Sequence, residues 1–145
     1  MISAMVKIQE VMTTNVFSVK PTDTMTKVSE YFSAEEIHHL PVVDNAGKVV
    51  GIISKTDYHR LQYGFTLFKS RESETYNAAI MRSLLVQDVM TKQVVTLLPS
   101  NSLFVAVDIF KENLFHAIPV VDGDQNLRGI ITTYDLLNYA YKTQR

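Results

Sequence analysis

Gly51-Ile52-Ile53-Ser54-Lys55-Thr56-Asp57 returns as Gly129-Ile130-Ile131-Thr132-Thr133-Tyr134-Asp135, an offset of 78 residues. A glycine, two β-branched residues, and then Ser or Thr three positions ahead of Asp read as a buried strand turning into a helix. Ser54 and Thr132 are the expected N-caps, whose hydroxyls can accept from backbone N–H groups two or three residues on. Asp57 and Asp135 then fall at the third helical position, from which a carboxylate reaches back to the cap in a capping box. Capping explains each copy by itself, but it does not explain the offset.

The offset persists upstream. Gln9, Val11, Met12 and Thr13 return as Gln87, Val89, Met90 and Thr91, and Pro21 returns as Pro99. His38, Pro41, Val42, Val43 and Asp44 return as His116, Pro119, Val120, Val121 and Asp122. From Gln9 to Asp57 there are 16 identities in 49 ungapped pairs, enough to read the chain as an internal duplication. The expected organisation is a first repeat over 8–63, a connector over 64–85 and a second repeat over 86–141.

Within the first repeat the pattern predicts a lead-in turn or helix over Val6 to Met12 and a strand from Val16 to Val19. A helix follows Pro21, capped by Thr22 or Asp23, with Met25, Val28, Tyr31 and Phe32 on one face and its end near Ala34. Strands at Leu40 to Val43 and Val49 to Ile53 flank a turn, and a helix runs from Lys55 to about Tyr63. The second repeat predicts strands at Val94 to Leu97, Ile118 to Val121 and Leu127 to Ile131. Its helices run from Leu103 to Lys111, after a start at Pro99-Ser100, and from Thr133 to Tyr141. The fold class is α+β, with two β-α-β-β-α units. One three-stranded sheet of this size cannot bury its face alone, so the units are expected to pack about a pseudo-twofold axis, with the functional surface at their seam.

With 145 residues and 46% hydrophobic content, the chain is long enough for two small half-domains sharing a core. A formal net charge of −1, without blocks of like charge, gives no footprint for nucleic acid or an anionic membrane. Cysteine is absent, which rules out disulfides and thiolate metal sites and fits a reducing compartment. The first nine residues read as neither signal peptide nor membrane span, so a cytoplasmic location is expected. No Walker-type loop, His-Glu-x-x-His or nucleophile elbow occurs, and the chain reads as a non-enzyme. The adjacent histidines His38 and His39 lack a third ligand at metal spacing, so no metal is expected.

Val-Met-Thr, a strand, Pro, a helix, His-x-hydrophobic-Pro-Val-Val-Asp and Gly-Ile-Ile-Ser/Thr-x-x-Asp together resemble the cystathionine β-synthase (CBS) domain, and two copies resemble the CBS pair. The resemblance implies a regulatory sensor of adenosine ligands such as AMP, ADP, ATP or S-adenosylmethionine, bound as signals rather than as required cofactors. It further implies that ligand occupancy changes how modules pair with each other or with a partner, and the chain is read as a homodimer acting on a separate effector protein. The alternative is a ligand-independent assembly module with vestigial clefts.

By that resemblance Asp57 and Asp135 are the ribose partners, because one carboxylate can accept from both ribose hydroxyls. Ser54 and Thr132, with free N–H groups at the helix starts, would donate to a phosphate. His38, His39 and His116 would stand at the cleft mouths as pH-dependent phosphate anchors. Phe17 and Ser18, Val95 and Thr96, and Ile52 and Ile130 would form the adenine slots. Capping accounts equally for the Ser/Thr–Asp pairs, and core packing for the strand residues. Tyr134 stands where the first repeat has Thr56, and its ring would either stack on a base or narrow the second cleft.

The stretch from Tyr58 to Leu85 is the individual part of the chain. Gln62-Tyr63-Gly64 reads as a helix end, Phe65 to Glu74 as a connector and Ala78 to Leu85 as a helix. Lys69, Arg71 and Arg82 are either solvated or folded over a cleft. The apolar Tyr63, Phe65, Leu67 and Phe68 call for a covering surface, which a second subunit would supply.

Overall fold

The computed structural model describes residues 5–34, 36–65, 78–112 and 115–142. A 3₁₀ turn at Ile8–Glu10 is followed by α1 (Met25–Ala34), β1 (His39–Val43), β2 (Val49–Ser54) and α2 (Lys55–Phe65). Residues 78–83 are helical and are called α3. After them come α4 (Val86–Val89), α5 (Leu103–Lys111), β3 (Ala117–Val121), β4 (Leu127–Thr132) and α6 (Thr133–Tyr141). Strand β1 pairs with β2, and β3 with β4.

The chain divides into two compact units. One holds Phe17–Ala46 and Val50–Gln93; the other holds the described residues through Val16, Gly47–Val49 and those from Val94 onward. The Val-Met-Thr segment of each repeat therefore belongs to the unit built on the strands of the other repeat. In the first unit Met25, Val28 and Phe32 of α1 pack with Leu40, Val42 and Ile53 of the sheet. Met81 of α3 and Val86 of α4 join that core. The 3-4 spacing on α1 puts its apolar residues on one stripe, which the sheet face covers.

The second unit repeats the plan. Leu103 and Ala106 of α5 pack on Ile118, Val120 and Ile131, and Ile8 from the lead-in turn is fully buried among them. Ile8 and Val86 hold corresponding positions and are both 0% exposed. Burying such a side chain stabilises by about 1.5–3 kcal/mol, which fixes each lead-in to its unit. Strands β3 and β4 are antiparallel, pairing Ala117 with Thr132 through Val120 with Gly129, and a bulge follows between Val120 and Val121.

Several sequence expectations are corrected. The expected first strands at Val16 to Val19 and Val94 to Leu97 are reduced to single parallel bridges, Val19 to Val42 and Leu97 to Val120. Val19 donates to Pro41 C=O at 3.1 Å and accepts from Val43 N–H at 2.8 Å, and only this one residue joins the ladder. The helix starts are also shifted. Asp23 holds the preceding turn by accepting from Lys20 N–H at 2.7 Å, and the Thr24 hydroxyl lies 3.5 Å from Lys27 N. Ser102, not Ser100, caps α5, accepting from Phe104 N–H at 3.2 Å. The helix from Lys55 continues to Phe65. Leu85 lies outside α3 and bridges to Thr24 instead. Leu67, Phe68, Lys69, Arg71 and Glu74 lie outside the described residues, as do the side chains of Tyr63 and Phe65.

Candidate functional site

Both strand-to-helix turns close as capping boxes. The Ser54 hydroxyl accepts from Asp57 N–H at 3.0 Å, and Asp57 Oδ2 accepts from Ser54 N–H at 3.4 Å. In the second repeat the Thr132 hydroxyl accepts from Asp135 N–H at 3.1 Å, and Asp135 Oδ2 accepts from Thr132 N–H at 2.9 Å. Each carboxylate thus spends one oxygen on its own cap, while the other, Oδ1, points to a different neighbour in each repeat. Asp57 Oδ1 lies 4.0 Å from the guanidinium of Arg60, a side chain 79% exposed. Asp135 Oδ1 accepts from the Thr13 hydroxyl at 3.1 Å.

Thr13 reaches Asp135 because the lead-in lies along β4. Thr13 and Ile130 exchange both backbone hydrogen bonds at 2.9 Å, and Thr91 and Ile52 do the same at 3.0 and 3.1 Å. Glycine permits this approach. A Cβ on Gly129 would stand 2.7 Å from the Thr13 carbonyl and 2.9 Å from Met12 Sδ, and one on Gly51 would meet Met90 and the Thr91 carbonyl. The duplicated glycine and the duplicated Val-Met-Thr are therefore two halves of one contact. Sequence reading missed the role of Thr13, although the joint recurrence of these motifs was its signal. It also missed Arg60, whose spacing three residues after Asp57 puts both on one helix face.

The remaining predicted residues sit as follows. Ile52 is half-buried and Ile130 is 7% exposed, with the backbone groups of both engaged by Thr91 and Thr13 and so not free for a base edge. The His38 carbonyl accepts from Lys55 N–H at 2.7 Å, and the His116 carbonyl from Thr133 N–H at 3.1 Å, which puts both histidines at helix starts. His38 and His116 are exposed, and His39 is half-buried at the start of β1. Phe17 stacks at a tilt on Tyr31, with ring centroids 5.4 Å apart. Val95 and Tyr134 are exposed, and Ser18 and Thr96 half-buried. Among the described residues, no hydrogen bond or ring contact joins Phe17, Ser18, Val95 or Thr96 to a capping box. A surface cavity of about 570 Å³ is lined by Glu10, Val11, Asp135, Asn138, Tyr139, Tyr141 and Lys142, and Asp135 alone of the predicted site residues borders it. No helix of the described residues is long and apolar enough to cross a membrane.

Duplicated two-layer repeats, each with a Ser/Thr-x-x-Asp capping box at the end of its last strand, define a tandem module of the kind anticipated from sequence. Residues 8–63 and 86–142 each match the CBS domain, and the chain belongs to that family. The crystal structure of CBSX2 in complex with AMP is similar at a TM-score of 0.77 and 26% identity, covering 96% of this chain and 98% of that one. The CBS domain of a CBS domain-containing membrane protein from Sphaerobacter thermophilus is 32% identical at a TM-score of 0.78, covering 93% and 88%. An inosine-5'-monophosphate dehydrogenase of Methanocaldococcus jannaschii is 33% identical over 136 residues, which are 94% of this chain and 24% of that enzyme. A homoserine O-acetyltransferase of Methanocorpusculum labreanum is 29% identical over 129 residues, 89% of this chain and 23% of that enzyme. The chain thus spans about a quarter of the length of these curated relatives.

Proposed function

We propose that this chain is a regulatory module that binds an adenosine-derived ligand and carries no catalysis of its own. The observation that carries this reading is the repeated Asp at a helix start, whose carboxylate keeps accepting capacity beyond its capping bond. A carboxylate offers about four lone-pair sites, so one capping bond and one further donor leave room for a ribose hydroxyl. Ser54 and Thr132 and the helix-start N–H groups are the companion donors. The AMP complex of CBSX2, similar over nearly the whole chain, supports the ligand class. In this reading the chain is cytoplasmic, and the ligand's differential affinity for two arrangements of the module transmits the signal to a separate effector.

A thermal-shift panel of AMP, ADP, ATP, S-adenosylmethionine and GTP tests it. A ligand at about 100 times its Kd stabilises by about 2.7 kcal/mol, a shift of several degrees at this size. A shift with an adenine ligand that is lost in the Asp57→Ala, Asp135→Ala double variant is the expected result. No shift in nucleotide-free protein overturns the reading.

One observation favours the assembly role as a second reading. Tyr134, Leu137 and Tyr141 are 68%, 59% and 63% exposed and recur at three- and four-residue spacing on α6. An apolar stripe of that kind matches a homodimer contact, and sedimentation equilibrium of Leu137→Asp against wild type distinguishes a dimer from a monomer.

A further inference from the structure

The two capping boxes are alike in backbone and unlike in charge. Around Asp57 stand His38, Lys55 and Arg60; at the matching positions around Asp135 stand His116, Thr133 and Asn138. Lys55 is the first residue of α2, and its N–H is tied to the His38 carbonyl, so both side chains start from the same turn. The Arg60 guanidinium already lies 4.0 Å from Asp57 Oδ1. At that distance and exposure its pairing with Asp57 is weak, and the group can turn to a better partner. Among the described residues, Lys55 makes no ion pair. His59, exposed on the same helix, is matched by Leu137 on α6. The second repeat has exchanged the cations of this helix for neutral side chains, and has given Asp135 Oδ1 to the Thr13 hydroxyl.

We infer that the two repeats divide the ligand chemistry: the first repeat takes the phosphate-bearing nucleoside, with Lys55 and Arg60 as its phosphate anchors, and the second repeat does not hold a phosphate. This deepens the proposed function and rests on it. The physical basis is that a nucleoside monophosphate carries close to two negative charges at neutral pH, and a guanidinium or ammonium in reach forms charge-assisted hydrogen bonds with it. Asp57 accepts from the ribose hydroxyls while Arg60, one turn along the helix, faces the phosphate end. Around Asp135 the helix-start positions Thr133, Tyr134 and Asn138 carry no cation, and Lys142, on the same cavity as Asp135, shares that lining with Glu10, so a dianion is less favoured there than at Asp57.

Isothermal titration of the full chain with AMP and with adenosine tests the division, using wild type, Asp57→Ala, Asp135→Ala and a Lys55→Thr, Arg60→Asn double variant that installs the residue types of the second repeat. The double variant leaves both capping boxes untouched, so loss of folding does not confuse it. One tight AMP site per chain is expected, abolished by Asp57→Ala and retained in Asp135→Ala. The double variant is expected to weaken AMP by about tenfold or more, as for a lost charge-assisted hydrogen bond, and to leave adenosine affinity unchanged. Raising salt should weaken AMP binding in wild type and much less in the double variant. Two equal AMP sites, AMP binding that follows Asp135 rather than Asp57, or an equal loss of AMP and adenosine affinity in the double variant would overturn the division alone. Absence of binding by either ligand would overturn the proposed function with it.

Discussion

The hydroxyl of Thr13 donates to Oδ1 of Asp135 at 3.1 Å across 122 residues of sequence. It ties the lead-in of one repeat to the capping carboxylate of the other. The matching pair in the other unit, Thr91 and Asp57, forms no such bond among the described residues, and this difference supplies a built-in control. Thr13→Val is expected to lower stability by about 0.5–1.5 kcal/mol and Thr91→Val by less. A double-mutant cycle of Thr13→Val with Asp135→Ala, read by urea unfolding, should show a coupling of about 0.5 kcal/mol or more. Strict additivity would mean the bond contributes nothing.

Gly129→Ala places a methyl 2.7 Å from the Thr13 carbonyl, and the obstacle is backbone rather than a flexible side chain. A loss of about 1–3 kcal/mol is expected, with the lead-in amides of Met12 and Thr13 losing protection in hydrogen exchange. Equal stability to wild type would show that the lead-in shifts at no cost.

Ile8 anchors the same segment from within the core. At 0% exposure, its replacement in Ile8→Ala should cost about 2–5 kcal/mol, measured by chemical denaturation. A loss below about 1 kcal/mol would mean that the unit closes over the site without the lead-in.

Gly47 and Gln125 hold the same place in the two β-turns, with φ of 85° and 68°. A left-handed conformation costs a residue with a Cβ roughly 1–2 kcal/mol, which glycine avoids at some expense in chain entropy. Gln125→Gly is therefore expected to raise stability by about 0.5–1 kcal/mol, seen as a higher Tm. A lower Tm would show that the Gln125 side chain contributes more than the backbone gains.

Asp122 sits in that second turn. Its carboxyl is held below its ordinary value, first by the backbone N–H of Asn126; burial, the next effect in size, opposes it, and the N–H of Asp124, the Asn126 amide and the Arg128 guanidinium each add to the lowering. A carboxylate with a lowered folded pKa stabilises above the unfolded value, about 3.9, and that contribution is lost as pH falls through the folded value. The stability gap between wild type and Asp122→Asn should therefore be present at pH 6 and shrink below about pH 4. A gap independent of pH would remove the carboxylate from the account.

The local features were legible because the interactions that make them span three or four residues. Ser54 with Asp57, and Thr132 with Asp135, close capping boxes whose partners are fixed by helix geometry alone. The hairpin turn at Asp122 and the stripe of Met25, Val28 and Phe32 are of the same kind. The first strands were overread: Val16 to Val19 has strand composition, but a strand needs a neighbour along its length, and of this segment only Val19 bridges to β1.

By itself the sequence determined the duplication, the order of most elements, and the residue types at both capping boxes, since an offset of 78 residues and short-range hydrogen bonding need no third dimension. Only the tertiary structure decided that each Val-Met-Thr segment docks on the glycine of the other repeat. It likewise decided that Asp135 faces a hydroxyl while Asp57 faces a guanidinium. Two identical motifs in one chain can pair within or across repeats with the same local chemistry. The choice is made by which core buries Ile8 and which buries Val86, a long-range packing term that no local pattern records.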